Sequence, residues 1–264
     1  VSHLKMEKNE LTSRDERKTS SQGRRRVCLM GLSADPPTNA HVAMAKILSS
    51  SLKSEGWDEL RIIPVFQHPF EKKRNRMVAF DHRYQMCKLA FLGISTMIVV
   101  ANDEERCVES LRQRKIEAGT NSSFEISPPG IGTVELLEFL TSSEQGTEFS
   151  LALGEDAFRD LVVYHKWKRS KDILTILSDR PWFVFKRPTT DEAIPNEISK
   201  QCSNIHWWKF SDPELNGLSS TQVRSMRTLE EWEKVVPPLV MDYVVTNRLY
   251  SFRKNDAGMS LVNG

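Results

Sequence analysis

An α/β fold, with a parallel sheet covered by helices on both faces, is what the apolar pattern of this chain predicts, and three observations carry that expectation. Six near-continuous apolar runs, at 27–30, 60–65, 97–101, 149–153, 182–185 and 205–208, read as strands buried on both faces. Stretches with helical spacing separate them, the pattern of a single, doubly wound, Rossmann-like domain. Turn-forming and phosphate-handling residue types follow the runs directly, at Gly31, at 64–73 and at Gly154, where ligands sit in such sheets.

Taken in order, residues 1–24 are polar, mixed in charge and too poor in large apolar groups to fold alone, so a flexible tail is expected. The Arg24-Arg25-Arg26 run reads as a solvated lead-in to the first strand, with a nuclear import patch or a phosphate contact as alternatives. The first apolar run passes through GLSADPPTNAH, residues 31–41, into apolar spacing at Ala45, Leu48 and Leu52, which makes a strand-turn-helix corner. After the second run comes the basic loop PVFQHPFEKKR. Residues 102–132 break the rhythm: a charged stretch, NDEERCVESLRQRK, precedes a Gly-, Ser- and Pro-rich piece, so an insertion or mobile loop is expected. The folded domain is expected over 25–253, with a frayed tail at 254–264.

At 264 residues the chain is long enough for one large α/β domain or two small ones, with ample apolar content for a core. Residues 1–26 carry eight Lys or Arg against four Asp or Glu, a net of +4, which leaves −2 for the rest of a chain of net charge +2. Bulk charge therefore argues against nucleic acid as a partner of the domain. Cys28, Cys87, Cys107 and Cys202 form no C-x-x-C pair and no zinc spacing, and two of them sit in apolar runs, as packed reduced thiols do. A reducing compartment, cytoplasmic or nuclear, is the natural reading. No stretch reaches the length of a membrane span, so no membrane partner is expected.

Two segments at opposite ends of the chain carry the chemistry. The corner at 31–41 aims backbone N–H groups and the positive end of a helix at one point, which suits a triphosphate. LSSTQVR, residues 218–224, sets Ser219, Ser220 and Thr221 before Val223 and Arg224, so hydroxyls, helix N–H groups and a guanidinium converge on an anion. Taken singly each has a plain explanation, a helix N-cap for the Ser-Ser-Thr triplet and a loop residue for His41.

Together they resemble a known family. The first segment is similar to the T/H-x-G-H signature of the nucleotidyl transferase superfamily, the second to its I-S-S-T-x-[IV]-R signature, in the family's order. Between them LGEDAFRDLVVYHKWKRSKDIL, residues 153–174, resembles the G-x-D…W-K-x-x-x-x-I block of the nicotinate and nicotinamide mononucleotide adenylyltransferases. HRYQMCKLA at 82–90 and VVPPLVMDYVVTNRLY at 235–250 resemble two further helices of that family, and Thr38 and Asn39 match its eukaryotic branch. The family usually has Gly and Phe on either side of the motif's serine, where this chain has Leu32 and Ala34; leucine takes positive φ poorly, and both changes alter the wall around the phosphates.

The resemblance implies ATP-dependent adenylylation of nicotinate or nicotinamide mononucleotide, with Mg²⁺ carried by the ATP phosphates and no metal ligand of the protein's own. Such a transfer needs positioning and charge neutralisation more than a nucleophile and base. Gly31, Ser33, Thr38, His41, Ser219, Ser220, Thr221 and Arg224 are then expected at ATP, with His41, Lys72 and Arg224 as catalytic groups. Lys72, with Lys73 as the fallback, is expected to meet phosphate; each alone reads equally well as a solvated basic residue. Asp156 is expected on ribose hydroxyls. Trp167 is expected to stack on the pyridine ring with Tyr164 near it, the alternative for Trp167 being a core tryptophan. Arg83 reads as a phosphate ligand or as a helix-surface ion pair.

Alternatives remain open at this point. One is another nucleotidyl transferase, of the pantetheine-phosphate adenylyltransferase or cytidylyltransferase type. Another is a degenerate member that binds nucleotide without turnover, which Leu32, Ala34 and the 102–132 segment motivate and His41 and LSSTQVR oppose. The preferred mononucleotide is undecided, and a homo-oligomer is open.

Overall fold

The computed structural model describes residues 23–68, 71–119, 131–186, 202, 204–210, 212–215, 217–255 and 258–261. Residues 1–22 of the expected tail and 120–130 of the expected insertion lie outside the described residues. Six strands, β1 (Arg26–Leu32), β2 (Glu59–Pro64), β3 (Ile98–Val100), β4 (Glu148–Gly154), β5 (Trp182–Phe185) and β6 (Ile205–Trp208), form one sheet in the order β3-β2-β1-β4-β5-β6. All five pairings are parallel, and Met30 of β1 stands between Ile62 of β2 and Ala152 of β4. Every apolar run expected to be a strand is one.

Alternation along the strands builds two cores. Cys28, Met30, Leu60, Ile62, Phe183 and Phe185 face α1 (Asn39–Ser54) and α3 (Phe80–Ala90), together with the closing helices α8 (Ser220–Ser225), α9 (Leu229–Val235) and α10 (Pro238–Thr246). Val27, Leu29, Leu151, Leu153, Trp182 and Val184 face the other way, onto α4 (Asp103–Glu117), α5 (Thr133–Ser143), α6 (Glu155–Val162) and α7 (Ser170–Ile176). A short helix, α2 (Glu71–Arg74), follows β2. The winding changes face between β1 and β4, so the carboxyl ends of these adjacent strands flank the crevice that doubly wound sheets use for ligands.

Two stretches differ from the sequence expectation. The charged half of 102–132 is the regular helix α4, whose Cys107 and Val108 are buried in the second core. Its charges have partners: Asp103 accepts from Arg61 Nη1 at 3.1 Å and from Arg106 Nη1 at 2.8 Å, and Arg61 also donates to Glu144 at 2.6 Å. At the carboxyl end, where a frayed tail was expected, β7 (Phe252–Asn255) and β8 (Gly258–Leu261) pair as an antiparallel hairpin. The four cysteines are free and buried, as the sequence implied.

Candidate active site

The corner after β1 is built around Thr38, the fully buried N-cap of α1. His41 is the third residue of that helix and turns back on the cap: its Nδ1 accepts the Thr38 backbone N–H at 3.0 Å, with Thr38 Oγ1 at 2.8 Å. A ring nitrogen that accepts from a backbone amide carries no proton, so the neutral imidazole holds its proton on Nε2. One helix-capping interaction thus fixes both the orientation and the tautomer of His41. Gly31 lies exposed at the end of β1, and a Cβ there would meet nothing within 4 Å, so this strand end is open for close approach.

The family departures have consequences other than those expected. Leu32 does not take positive φ; it ends β1 as an extended, buried residue of the first core. Ala34 instead adopts φ 55° and is fully buried. A left-handed alanine costs on the order of 1–2 kcal/mol, which the surrounding contacts must offset.

LSSTQVR is docked directly on this corner. Ser219 caps α8, accepting from the Gln222 backbone N–H at 3.3 Å, and Ser220 Oγ donates to the Pro36 carbonyl at 2.8 Å. Arg224 Nη1 donates to the Asp35 carbonyl oxygen and lies 3.2 Å from Asp35 Oδ2, while Nη2 reaches Thr221 Oγ1 at 3.3 Å. Arg224 therefore begins with protein partners on its guanidinium, and its side chain is 29% exposed.

The loop after β2 is fixed from beneath by Arg83. Expected at a phosphate or on the helix surface, Arg83 is 2% exposed and does neither: Nε donates to the Val78 carbonyl at 2.8 Å, Nη1 to Ser33 at 3.0 Å and Val65 at 2.6 Å, and Nη2 to Phe66 at 3.1 Å. One guanidinium thereby joins the loops after β1 and β2 to the lead-in of α3. Glu104, at the start of α4, accepts the Phe66 N–H at 2.7 Å. Burial, opposed by that hydrogen bond and by Arg83, raises its pKa to about 7. His68 is pushed down to about 4 by burial and then by the positive charges of Lys73, Arg83 and Arg74. The loop end of β2 is thus electropositive, which favours an anion. Lys72 is exposed on α2, beside this loop.

At the end of β4 the chain turns straight into α6. Glu155 points inward and takes both Nε and Nη2 of buried Arg159, at 3.1 and 2.9 Å, while Asp156 is exposed at the helix start. Tyr164 is 50% exposed, with Lys166 Nζ 4.8 Å from its ring centroid. Trp167 is part-buried and packs against the second core. Two left-handed residues, His165 with φ 48° and Arg169 with φ 57°, bracket it in a tight turn. Its core contacts agree with the core-tryptophan alternative, and its partial exposure leaves part of the indole open to solvent.

Over residues 29–226 the chain matches the family model described as Cytidylyltransferase-like. A "probable nicotinate-nucleotide adenylyltransferase" of Pelodictyon phaeoclathratiforme is 30% identical over 233 residues, covering 88% of this chain and 94% of the relative. One of the same name from Prosthecochloris aestuarii is 29% identical over 232 residues, covering 86% and 99%. The chain belongs to the cytidylyltransferase-like family, in its nicotinate-nucleotide adenylyltransferase branch. The fold agrees: Plasmodium falciparum nicotinic acid mononucleotide adenylyltransferase complexed with APC superposes with a TM-score of 0.63 at 18% identity, covering 88% of this chain and 100% of that one.

Within this adenylyltransferase, sequence reasoning missed Asp35, His68 and Glu104. His68 and Glu104 had a local signal: each lies directly beyond a strand run, where such folds keep their sites. Asp35 lies within the 31–41 segment, where its residue type alone points to no role.

Proposed function

We propose that this nucleotidyltransferase joins the adenylyl group of MgATP to the 5′-phosphate of nicotinate or nicotinamide mononucleotide, releasing pyrophosphate, as a step of NAD biosynthesis. The product is deamido-NAD or NAD. The observation that carries this reading is the docking of Ser220 and Arg224 onto the 35–41 corner, which joins two anion-handling segments into one site beyond β1. The names of the relatives favour the acid mononucleotide.

In the reaction a mononucleotide phosphate oxygen attacks the α-phosphorus in line, and the bond to the bridging oxygen of pyrophosphate breaks. His41 donates from Nε2 to an ATP phosphate oxygen, in a tautomer already set by Thr38. Backbone at Gly31 and Ser33, and the hydroxyls of Ser219 and Thr221, line the triphosphate path. Arg224 neutralises the departing pyrophosphate. Mg²⁺ enters as part of the nucleotide substrate. The electropositive β2 loop with Lys72 meets the mononucleotide phosphate. Asp156 accepts from ribose hydroxyls, and Trp167 with Tyr164 borders the pyridine ring. We assign the chain to a reducing compartment, cytoplasmic or nuclear; among the described residues no helix is long and apolar enough to cross a membrane.

The test is pyrophosphate release by the purified chain with MgATP and each mononucleotide in turn, with CTP as the control nucleotide. Release that requires both ATP and a pyridine mononucleotide supports the reading. Release with CTP, or with phosphopantetheine in place of the mononucleotide, assigns the site to another transfer, and no release with any pair overturns catalysis.

A further inference from the structure

One fully buried charge at the site, Asp35, has no part in the proposed mechanism. Three distant parts of the chain meet it, two as hydrogen-bond donors to its carboxylate and one as an ion pair. Oδ1 accepts the Val78 backbone N–H at 3.2 Å and the Tyr250 hydroxyl at 2.9 Å, while buried Oδ2 accepts no hydrogen bond among the described residues and meets the charge of Arg224, 3.2 Å from Nη1. Its own carbonyl oxygen accepts a second contact from the same Arg224 nitrogen. Tyr250 is held in place in turn: its ring packs on Trp232, centroids 5.2 Å apart, and its backbone sits at φ 57°. Burial and then the Asp35 charge push the Tyr250 phenol well above its ordinary pKa, so it stays protonated and can only donate to the carboxylate.

These contacts divide the guanidinium of Arg224 in two. Nη1 is committed to Asp35, and Nη2 is aligned by Thr221. A planar five-donor group pinned along one edge has little freedom left in its other donors, which is the preorganisation a transition-state contact needs. We infer that Asp35 is a positioning residue for adenylyl transfer: its carboxylate fixes the Arg224 fork toward the triphosphate, and Tyr250 from the chain's closing segment completes that support. This deepens the adenylyltransferase reading and rests on it. Asp35 touches no substrate and acts through Arg224.

Asp35→Asn keeps an oxygen for Val78 and Tyr250 but removes the charge that holds Arg224. The expected result is a fall in kcat of about ten- to hundredfold, the usual size for a supporting contact behind a reacting group. KM for the mononucleotide stays within about twofold, because its site lies elsewhere in the crevice. The decisive measurement is the same substitution in an Arg224→Gln background, read by single-turnover kinetics with enzyme in excess. If Asp35 works through Arg224, D35N adds less than about twofold there, since the two effects are not additive for coupled residues. Equal losses in both backgrounds, or wild-type kcat in D35N, overturn the inference.

Should D35N fail to fold, Tyr250→Phe removes one of the two hydrogen-bond donors to the Asp35 carboxylate and leaves the ring on Trp232. It is expected to cost kcat several-fold in the native background and to add nothing in R224Q; an unchanged kcat in the native background, or the same loss in both, overturns the inference. Wild-type progress curves come first: no pyrophosphate release there overturns both the adenylyltransferase reading and this role. Release with normal D35N overturns the positioning role alone.

Discussion

Replacing Arg83 separates two accounts of the loops that frame the site. As a phosphate ligand, Arg83 could be lost with the fold intact; as the buried donor to four backbone carbonyls, it could not. Hydrogen bonds from a charged donor contribute about 1.5–3 kcal/mol each, but the desolvation that depresses the Arg83 pKa offsets a large share. Breaking such a buried charged set by deleting one partner costs roughly 3–5 kcal/mol in measured cases. At about 2–4 °C of melting temperature per kcal/mol for a chain of this size, Arg83→Met should lower Tm by roughly 6–20 °C. Arg83→Lys keeps the charge but serves fewer carbonyls, so it should fall between. The assay is thermal unfolding by circular dichroism with and without a non-hydrolysable MgATP analogue. A methionine variant with wild-type Tm and weakened analogue binding would refute the clamp and make Arg83 a phosphate ligand.

Three further outcomes follow from the geometry. Glu104 has a folded pKa near 7 against an ordinary value of 4.5, so the stability its protonated form contributes is complete below pH 4.5 and is lost as pH rises through about 7. Glu104→Gln mimics the protonated form; its Tm should exceed wild type by a margin that opens between those pH values, and a pH-independent margin would contradict the burial argument. Gly31→Ala fits the protein, since its Cβ meets nothing within 4 Å, so Tm should hold while KM for MgATP rises; unchanged KM would mean that no phosphate passes close to that backbone. Trp167→Ala should raise KM for the mononucleotide far more than for ATP and also lower Tm, because the indole packs on the second core. A Tm loss with both KM values unchanged would leave the indole only a core role.

The parts of this protein that were legible in its sequence are those whose physics is local. The four inner strands β2, β1, β4 and β5 are largely buried runs, the edge strands β3 and β6 are only partly buried, and the corner at 31–41 and the cap at Ser219 announce themselves by residue types within a few positions. What was not legible depends on distance along the chain. The donors to Asp35 lie 43, 189 and 215 residues away, and no spacing rule connects them. Arg83 looked like a helix-surface or ligand residue because only the fold brings Ser33, Val65 and Phe66 under it. The 102–132 stretch reads as an insertion because charge and then Gly, Ser and Pro signal solvent. Helix α4 is indeed exposed toward its carboxyl end, but Asp103 is buried against Arg61 of β2 and Cys107 and Val108 dock its first turns on the second core. Leu32 escapes the expected strain and Ala34 takes it, as the strand runs two residues further than its apolar run and the left-handed position falls on the smaller side chain.

The central claim is that the 31–41 corner, closed by LSSTQVR, stabilises the charge that develops in adenylyl transfer. His41→Ala tests it most directly, because the ring serves that step from a helix whose cap, Thr38, remains in place. Steady-state kinetics with MgATP and nicotinate mononucleotide should show kcat down by roughly a hundredfold or more, the cost of about 2.7–4 kcal/mol for one such donor, with the mononucleotide KM near wild type and Tm lower by only a few degrees for the lost cap on Thr38. A His41→Ala protein that turns over at close to the wild-type kcat would contradict the account.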